Sequence, residues 1–371
     1  MMNNAAFFAL PIFVLHLWTF IAQASDTTQA RFDLPQADGC YPVGTRTDVL
    51  RELHRNRDLL VTTWYPAVQG KEDLAPYMDK KTADAIAEDW ELQPDFERRV
   101  RTHARLLAPV AEGGPFPVVL LEHGSNVVPA IYTILAEGLA SRGFIVVATN
   151  HPPDSLIAAF PDGSELRFTP YWPAKADRRT QGVAIGKFVE DVLLADVRFV
   201  LDQLQEMNLR NDFWRGRLEL SKVGIVGHSM GGATAGLATQ EEPRIVAGVN
   251  LDGSTFPGMN ADVRPIALHK PFLFLATPEH AADPAVQVRE YVGSASNSYY
   301  VVVHGADHMS FTDKRVIVSR FSRKSQSDNI AFERALLRIE LTRSLVEEFL
   351  GKYLKGAGAP DLDVTVRVNK K

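Results

Sequence analysis

The chain has 371 residues, of which 46% are hydrophobic and 23% charged, with a formal net charge of −5. That apolar fraction supports a sizeable core and excludes a largely disordered chain, and the length suits one large α/β domain with insertions. Both charge signs are spread along the sequence, which excludes the clustered basic footprint of a nucleic-acid-binding protein.

The first segment is set apart by composition. Residues 5–22, "AAFFALPIFVLHLWTFIA", carry no Lys, Arg, Asp or Glu, and the small-residue pattern "AQA" follows at 22–24. This predicts a signal peptide, residues 1–24, cut after Ala24, with residues 25–371 forming a single secreted or periplasmic domain. The competing reading is an uncleaved membrane anchor, because the apolar run is near the lower spanning limit. The single cysteine, Cys40, has no partner for an internal disulfide. It sits in a turn-like stretch, "QADGCYPVGT", with no activating motif, and reads as structural.

Along the rest of the chain, "LLVTTWYP" (59–66) predicts an early strand, and the basic stretch "FERRVRTHAR" (96–105) reads as the solvated face of a helix. "FPVVLLEHG" (116–124) predicts a strand buried on both faces, residues 129–142 a helix, and "FIVVATN" (144–150) the next buried strand. Residues 151–180 form a long excursion rich in Pro, Asp and aromatics ("HPPDS", "TPYWP"), at the strand end where such sheets carry their sites. A helix is expected over 183–207, with Leu193, Val197, Val200, Leu201 and Leu204 on one stripe. Strands follow at 222–226, 244–253, 271–278 and 298–308, and a closing helix at 331–354. The alternation predicts an α/β fold with a mostly parallel central sheet flanked by helices.

The chemistry centres on "VGIVGHSMGG" (223–232), where a buried strand runs into Gly-x-Ser-x-Gly and then a small-residue helix start. Such a strand–turn–helix raises the serine above the sheet edge, and the α/β-hydrolase fold uses it to present a nucleophile. Ser229 is the predicted nucleophile, and a base must take its proton. The base is expected in the loop after the last strand, which offers His304 and His308; His304 reads as part of the strand, and His308 is favoured. His228 reads as a packed flank of the turn. The acid has three candidates: Asp252 after the strand that follows the nucleophile, and Glu279 and Asp283 one strand later. Asp252 lies directly at its strand end, where a short carboxylate is rigidly held, and is modestly favoured. An oxyanion needs backbone donors, for which the N–H groups of Met230 and of Ser125 in "HGSN" (123–126) are candidates, with His123 anchoring the loop. No metal or cofactor motif is present, so none is expected.

"GHSMGGATA", "NLDGS" and "GADHMSFTD", in that order, resemble the secreted platelet-activating-factor acetylhydrolase type of α/β-hydrolase. "HGSN" with "LASRGFIVVATNHPPDS", and "YPVGTRT" with "WYPA", are similar to its oxyanion loop and flanking strands, so the resemblance runs from about Asp38 to about Lys355. It implies an α/β-hydrolase fold, an acid after the strand next to the nucleophile helix (hence Asp252), and a calcium-independent serine esterase acting on short or oxidised acyl groups of phospholipids. Ser125 departs from it, standing where an apolar residue is expected. The expected partner is a small-molecule or lipid ester, with transient contact to a lipid surface. The other readings are a cutinase-like polyester hydrolase, a general lipase or esterase, a serine peptidase, and a non-catalytic binding protein on the same scaffold.

Overall fold

The computed structural model describes residues 31–173, 175–254, 268–283, 297–324 and 328–358. The expected signal peptide, residues 1–24, lies outside the described residues. The strands are β1 (Phe32–Asp33), β2 (Val43–Glu52), β3 (Arg57–Pro66), β4 (Leu74–Pro76), β5 (Val100–Leu106), β6 (Phe116–Glu122), β7 (Ile145–Asn150), β8 (Ile157–Ala159), β9 (Glu165–Arg167), β10 (Leu218–His228), β11 (Ile245–Leu251), β12 (Phe272–Ala276) and β13 (Ser298–Val302). The helices are α1 (Lys80–Asp89), α2 (Thr133–Ser141), α3 (Arg178–Phe188), α4 (Leu194–Arg210), α5 (Met230–Glu241), α6 (Pro278–Ala282), α7 (Lys314–Phe321) and α8 (Asn329–Lys355).

Eleven strands form one sheet in the order β1-β5-β2-β3-β7-β6-β10-β11-β12-β13, with β4 beside β5. From β7 through β13 every neighbouring pair is parallel, while β3 runs antiparallel to both β2 and β7. The parallel centre is covered on both faces, which explains its continuous apolar runs. In β6, Val119 and Leu121 join the cluster containing α2 and α8, while Val118 and Leu120 join the one containing α4. Burying each such side chain contributes roughly 1.5–3 kcal/mol.

Two expectations are corrected. Residues 96–105 are not a helix face but a short 3₁₀ turn, Phe96–Arg99, followed by β5. Val100, Thr102 and Ala104 are buried while Arg101 is exposed and His103 and Arg105 are half-buried, so the apolar period is two and the basic residues occupy the open face. His304 is not in the last strand: β13 ends at Val302, and His304 lies in an exposed turn beyond it. The 151–177 excursion carries the β8–β9 hairpin before α3 begins at Arg178. α3 continues through a five-residue π turn, Val189–Leu193, into α4. Leu193 sits in a small cluster with Phe188 and Ala233, whereas Val197, Val200, Leu201 and Leu204 pack on the sheet.

Candidate active site

β10 and β11 are parallel, with His228 opposite Leu251, so the next residue on each strand is Ser229 and Asp252. Both leave the sheet with positive φ, 55° at Ser229 and 56° at Asp252. A side chain held there costs about 1–3 kcal/mol and persists only when its surroundings impose it. At Ser229 the imposing features are the start of α5 and a backbone bond from its N–H to Leu251 O at 3.0 Å. A Cβ at Gly227 would overlap the Gly231 carbonyl, and one at Gly231 would overlap the Glu122 carbonyl. The motif glycines are therefore required by backbone contacts to the helix start and to β6. At Asp252 the backbone N–H donates to Leu275 O at 2.7 Å, and Asn250 Oδ1 accepts from Gly253 N at 2.6 Å.

The structure brings Asp252 and His308 together: His308 Nδ1 lies 2.7 Å from Asp252 Oδ2. His308 opens a short 3₁₀ turn, His308–Phe311, whose cap Asp307 accepts from Met309 N at 3.0 Å. The other oxygen, Asp252 Oδ1, accepts from Thr277 N at 2.7 Å and faces His280 Nδ1 at 2.9 Å. Burial pushes the Asp252 carboxyl up, but hydrogen bonds from His280, His308 and Thr277 outweigh it and hold the group well below the usual carboxylate range. Glu279 and Asp283, the other acid candidates, are exposed.

The loop after β6 closes the site from the other side. A Cβ at Gly124 would lie 3.1 Å from Ser229 Cβ, so the segment carrying Ser125 abuts the turn at Ser229, and Met230 is the first residue of α5. Gly124 N–H donates to Tyr132 Oη at 3.1 Å, Tyr132 Oη lies 2.9 Å from His228 Nδ1, and His228 Nε2 lies 2.8 Å from the His308 carbonyl. Burial, with the nearby His308, pushes His228 down to about 3. A neutral ring with both nitrogens engaged is a structural link between the two loops. His123 also anchors: its Nδ1 is 2.7 Å from Gly124 O and its Nε2 accepts from His151 N at 3.1 Å.

His280, Tyr132 and Thr277 are the site residues that sequence reasoning missed. His280 lies in "TPEHAADP", four residues past the end of β12, and the loop-after-the-last-strand criterion for the base passes it over. A cavity of about 380 Å³ lies elsewhere, lined by Thr62, Trp64, Tyr77, Thr133 and Glu137 among others, and does not include Ser229, Asp252 or His308. Among the described residues no group of three or more His, Cys, Asp or Glu could hold a metal ion.

Comparison with known proteins matches residues 178–356 to the family model of platelet-activating factor acetylhydrolase, isoform II, and residues 93–156 to that of chlorophyllase. The platelet-activating factor acetylhydrolase of Cavia porcellus is 24% identical over 86% of this chain and 78% of its own length. That of Bos taurus is 23% identical over 95% of this chain and 84% of its own length. Among solved structures, a ferulic acid esterase from Streptomyces cinnamoneus is 30% identical, covers 90% of this chain and 96% of its own, and superposes with a TM-score of 0.74. The chain is thus distantly homologous to the platelet-activating factor acetylhydrolases of the isoform II type.

Proposed function

We propose that the protein is an exported serine carboxylester hydrolase acting on esters of small acyl groups, among them phospholipids of the platelet-activating-factor type. The observation that carries this reading is the 2.7 Å contact between His308 Nδ1 and Asp252 Oδ2, made beside the strained turn that presents Ser229. With Nδ1–H donated to the carboxylate, Nε2 is the basic nitrogen. It takes the Ser229 proton as Oγ attacks the ester carbonyl carbon. The N–H groups of Met230 and Ser125 hold the oxyanion. Collapse expels the alcohol, which receives the proton from His308, and leaves an acyl-serine. Water, deprotonated by the same imidazole, then releases the acid. Export rests on the charge-free segment ending in "AQA", and intact mass of the exported protein should place its start at Ser25.

A fluorophosphonate probe should label the wild-type protein and fail to label Ser229→Ala. Activity on p-nitrophenyl esters should peak at about two to four acyl carbons and fall in graded steps, since each methylene is worth about 1–3 kcal/mol. EDTA should leave turnover unchanged. A profile rising toward sixteen-carbon esters with activation at a lipid–water interface would overturn the acyl preference.

A second reading, an aryl-ester hydrolase, is favoured by a specific feature of the 151–177 excursion. Tyr171 stacks on Phe188 at 3.6 Å, its ring edge meets Trp172, and it shares an apolar cluster with Met230. The solved neighbour named a ferulic acid esterase points the same way. A kcat/KM for ethyl ferulate well above that for ethyl acetate would select this reading.

A further inference from the structure

The segment after β12 carries Glu279 and Asp283, both exposed, and meets Asp252 through a histidine. β12 pairs with β11, Leu275 opposite Leu251, so Thr277 and α6 emerge beside Asp252. Thr277 caps α6, its Oγ1 accepting from His280 N at 3.0 Å, and Pro278 opens the helix. This fixes His280 one turn along, with its ring edge against Phe274 (centroids 6.1 Å, interplanar angle 72°) and its side chain only 12% exposed. The ring is thereby held with Nδ1 at 2.9 Å from Asp252 Oδ1.

We infer that His280 is a positioning residue of the catalytic machinery: its Nδ1–H and the Thr277 N–H together lock Oδ1 of Asp252, so that Oδ2 alone is presented to His308. The inference rests on the reading of Ser229, His308 and Asp252 as a triad. A carboxylate turns readily about its Cβ–Cγ bond. Two donors on one oxygen fix its plane, and the three donors together keep the desolvated carboxylate ionised. They also share its negative charge between two imidazoles, which moderates how strongly it stabilises the imidazolium of His308. Among the described residues, the titratable groups around His280 are Asp252 and His308, with His228 behind His308, Glu279 and Asp283 on its own segment, and Tyr300 on β13, stacked on Phe274.

The test is a set of substitutions at His280 read by kcat, KM and the pH dependence of kcat/KM on a small p-nitrophenyl ester. His280→Ala removes a hydrogen bond to a charged group and should lower kcat about 10- to 100-fold. KM should change by no more than about twofold, because the loss falls on the transition state. The acid limb of the profile should move to higher pH, since Asp252 then holds more charge toward the imidazolium. His280→Asn places an amide N–H where Nδ1–H stands, and should recover most of kcat and return the limb to its wild-type position. His280→Gln, whose amide reaches one atom further, should not. A His280→Ala enzyme with wild-type kcat and an unmoved acid limb, altered only in melting temperature, would reduce His280 to packing and overturn the inference. If His280→Ala does not fold, His280→Gln supplies the loss and His280→Asn the rescue. Asp252→Asn separates the two levels: full activity there sinks the triad reading itself. Its inactivation alongside an unaffected His280→Ala sinks only the role of His280.

Discussion

Two clusters of histidine and carboxylate stand at neighbouring ends of the sheet, and they are built in opposite proportions. At the ends of β6 and β7, one imidazole lies between two carboxylates: His151 Nε2 is 2.6 Å from Glu122 and Nδ1 is 3.0 Å from Asp196, and Arg57 and Arg55 complete the set on Asp196. His151, Glu122 and Asp196 are sealed from solvent. Burial alone would push His151 down, but the charges of Glu122 and Asp196 outweigh it and raise the ring to about 9. At the ends of β10 and β11, one carboxylate lies between two imidazoles, and the side chain of His308 is 48% exposed. An imidazole with both nitrogens committed to carboxylates holds its proton. One with a single nitrogen committed can exchange a proton at the other. The same residue types thus make a buried brace beneath the loop after β6, through His123, and an open pair whose geometry suits proton transfer.

The comparison can be broken most severely at the open cluster. Ser229→Ala should lower turnover by about 10⁴-fold or more, and His308→Ala by a similar factor. His304→Ala should stay near wild type, and a reversal of the two histidines in steady-state assays would move the base. Asp252→Asn should leave the fold intact and cost about 10³- to 10⁴-fold in kcat. Glu279→Gln and Asp283→Asn should each stay within a few-fold, so a large loss at either would place the acid one strand later.

At the sealed cluster the expected effect moves from rate to stability. His151→Leu leaves two carboxylates without their shared cation and should cost about 3–5 kcal/mol in denaturant unfolding. Activity per folded molecule should fall no more than about tenfold. A 10³-fold rate loss at unchanged stability would make this cluster part of the chemistry. The smallest effect is the pH dependence. The folded value of about 9 for His151 lies above an unfolded value of about 6.5. The folded state therefore binds the extra proton, and its stabilisation is fully present below about pH 6.5 and lost as pH rises through about 9. Melting temperature should decline across that window, and His151→Leu should flatten the decline.

Much of this was legible in the chain because it is local. Gly-x-Ser-x-Gly between a buried run and a small-residue helix specifies a strained turn whatever surrounds it, and the continuous apolar strands announce a sheet covered on both faces. The basic stretch 96–105 was misread because its charges were weighted above the alternation of Val100, Thr102 and Ala104, which is a period-two signal. Asp252 could be preferred over Glu279 and Asp283 from its place at a strand end, yet its contact with His308 spans 56 residues. No spacing rule reaches that far.

The sequence by itself determined the α/β class, the order of the strands along the chain and the position of the strained Gly-x-Ser-x-Gly turn, because these follow from hydrophobic periodicity and glycine sterics within a few residues. Only the tertiary structure decided which histidines meet which carboxylates. Asp252 lies between His280 and His308 because β11, β12 and β13 are adjacent in the sheet, and His151 lies between Glu122 and Asp196 because β6 and β7 pair while α4 packs across them. The charge each group carries follows from those neighbours and from burial, and neither exists until the strands have assembled.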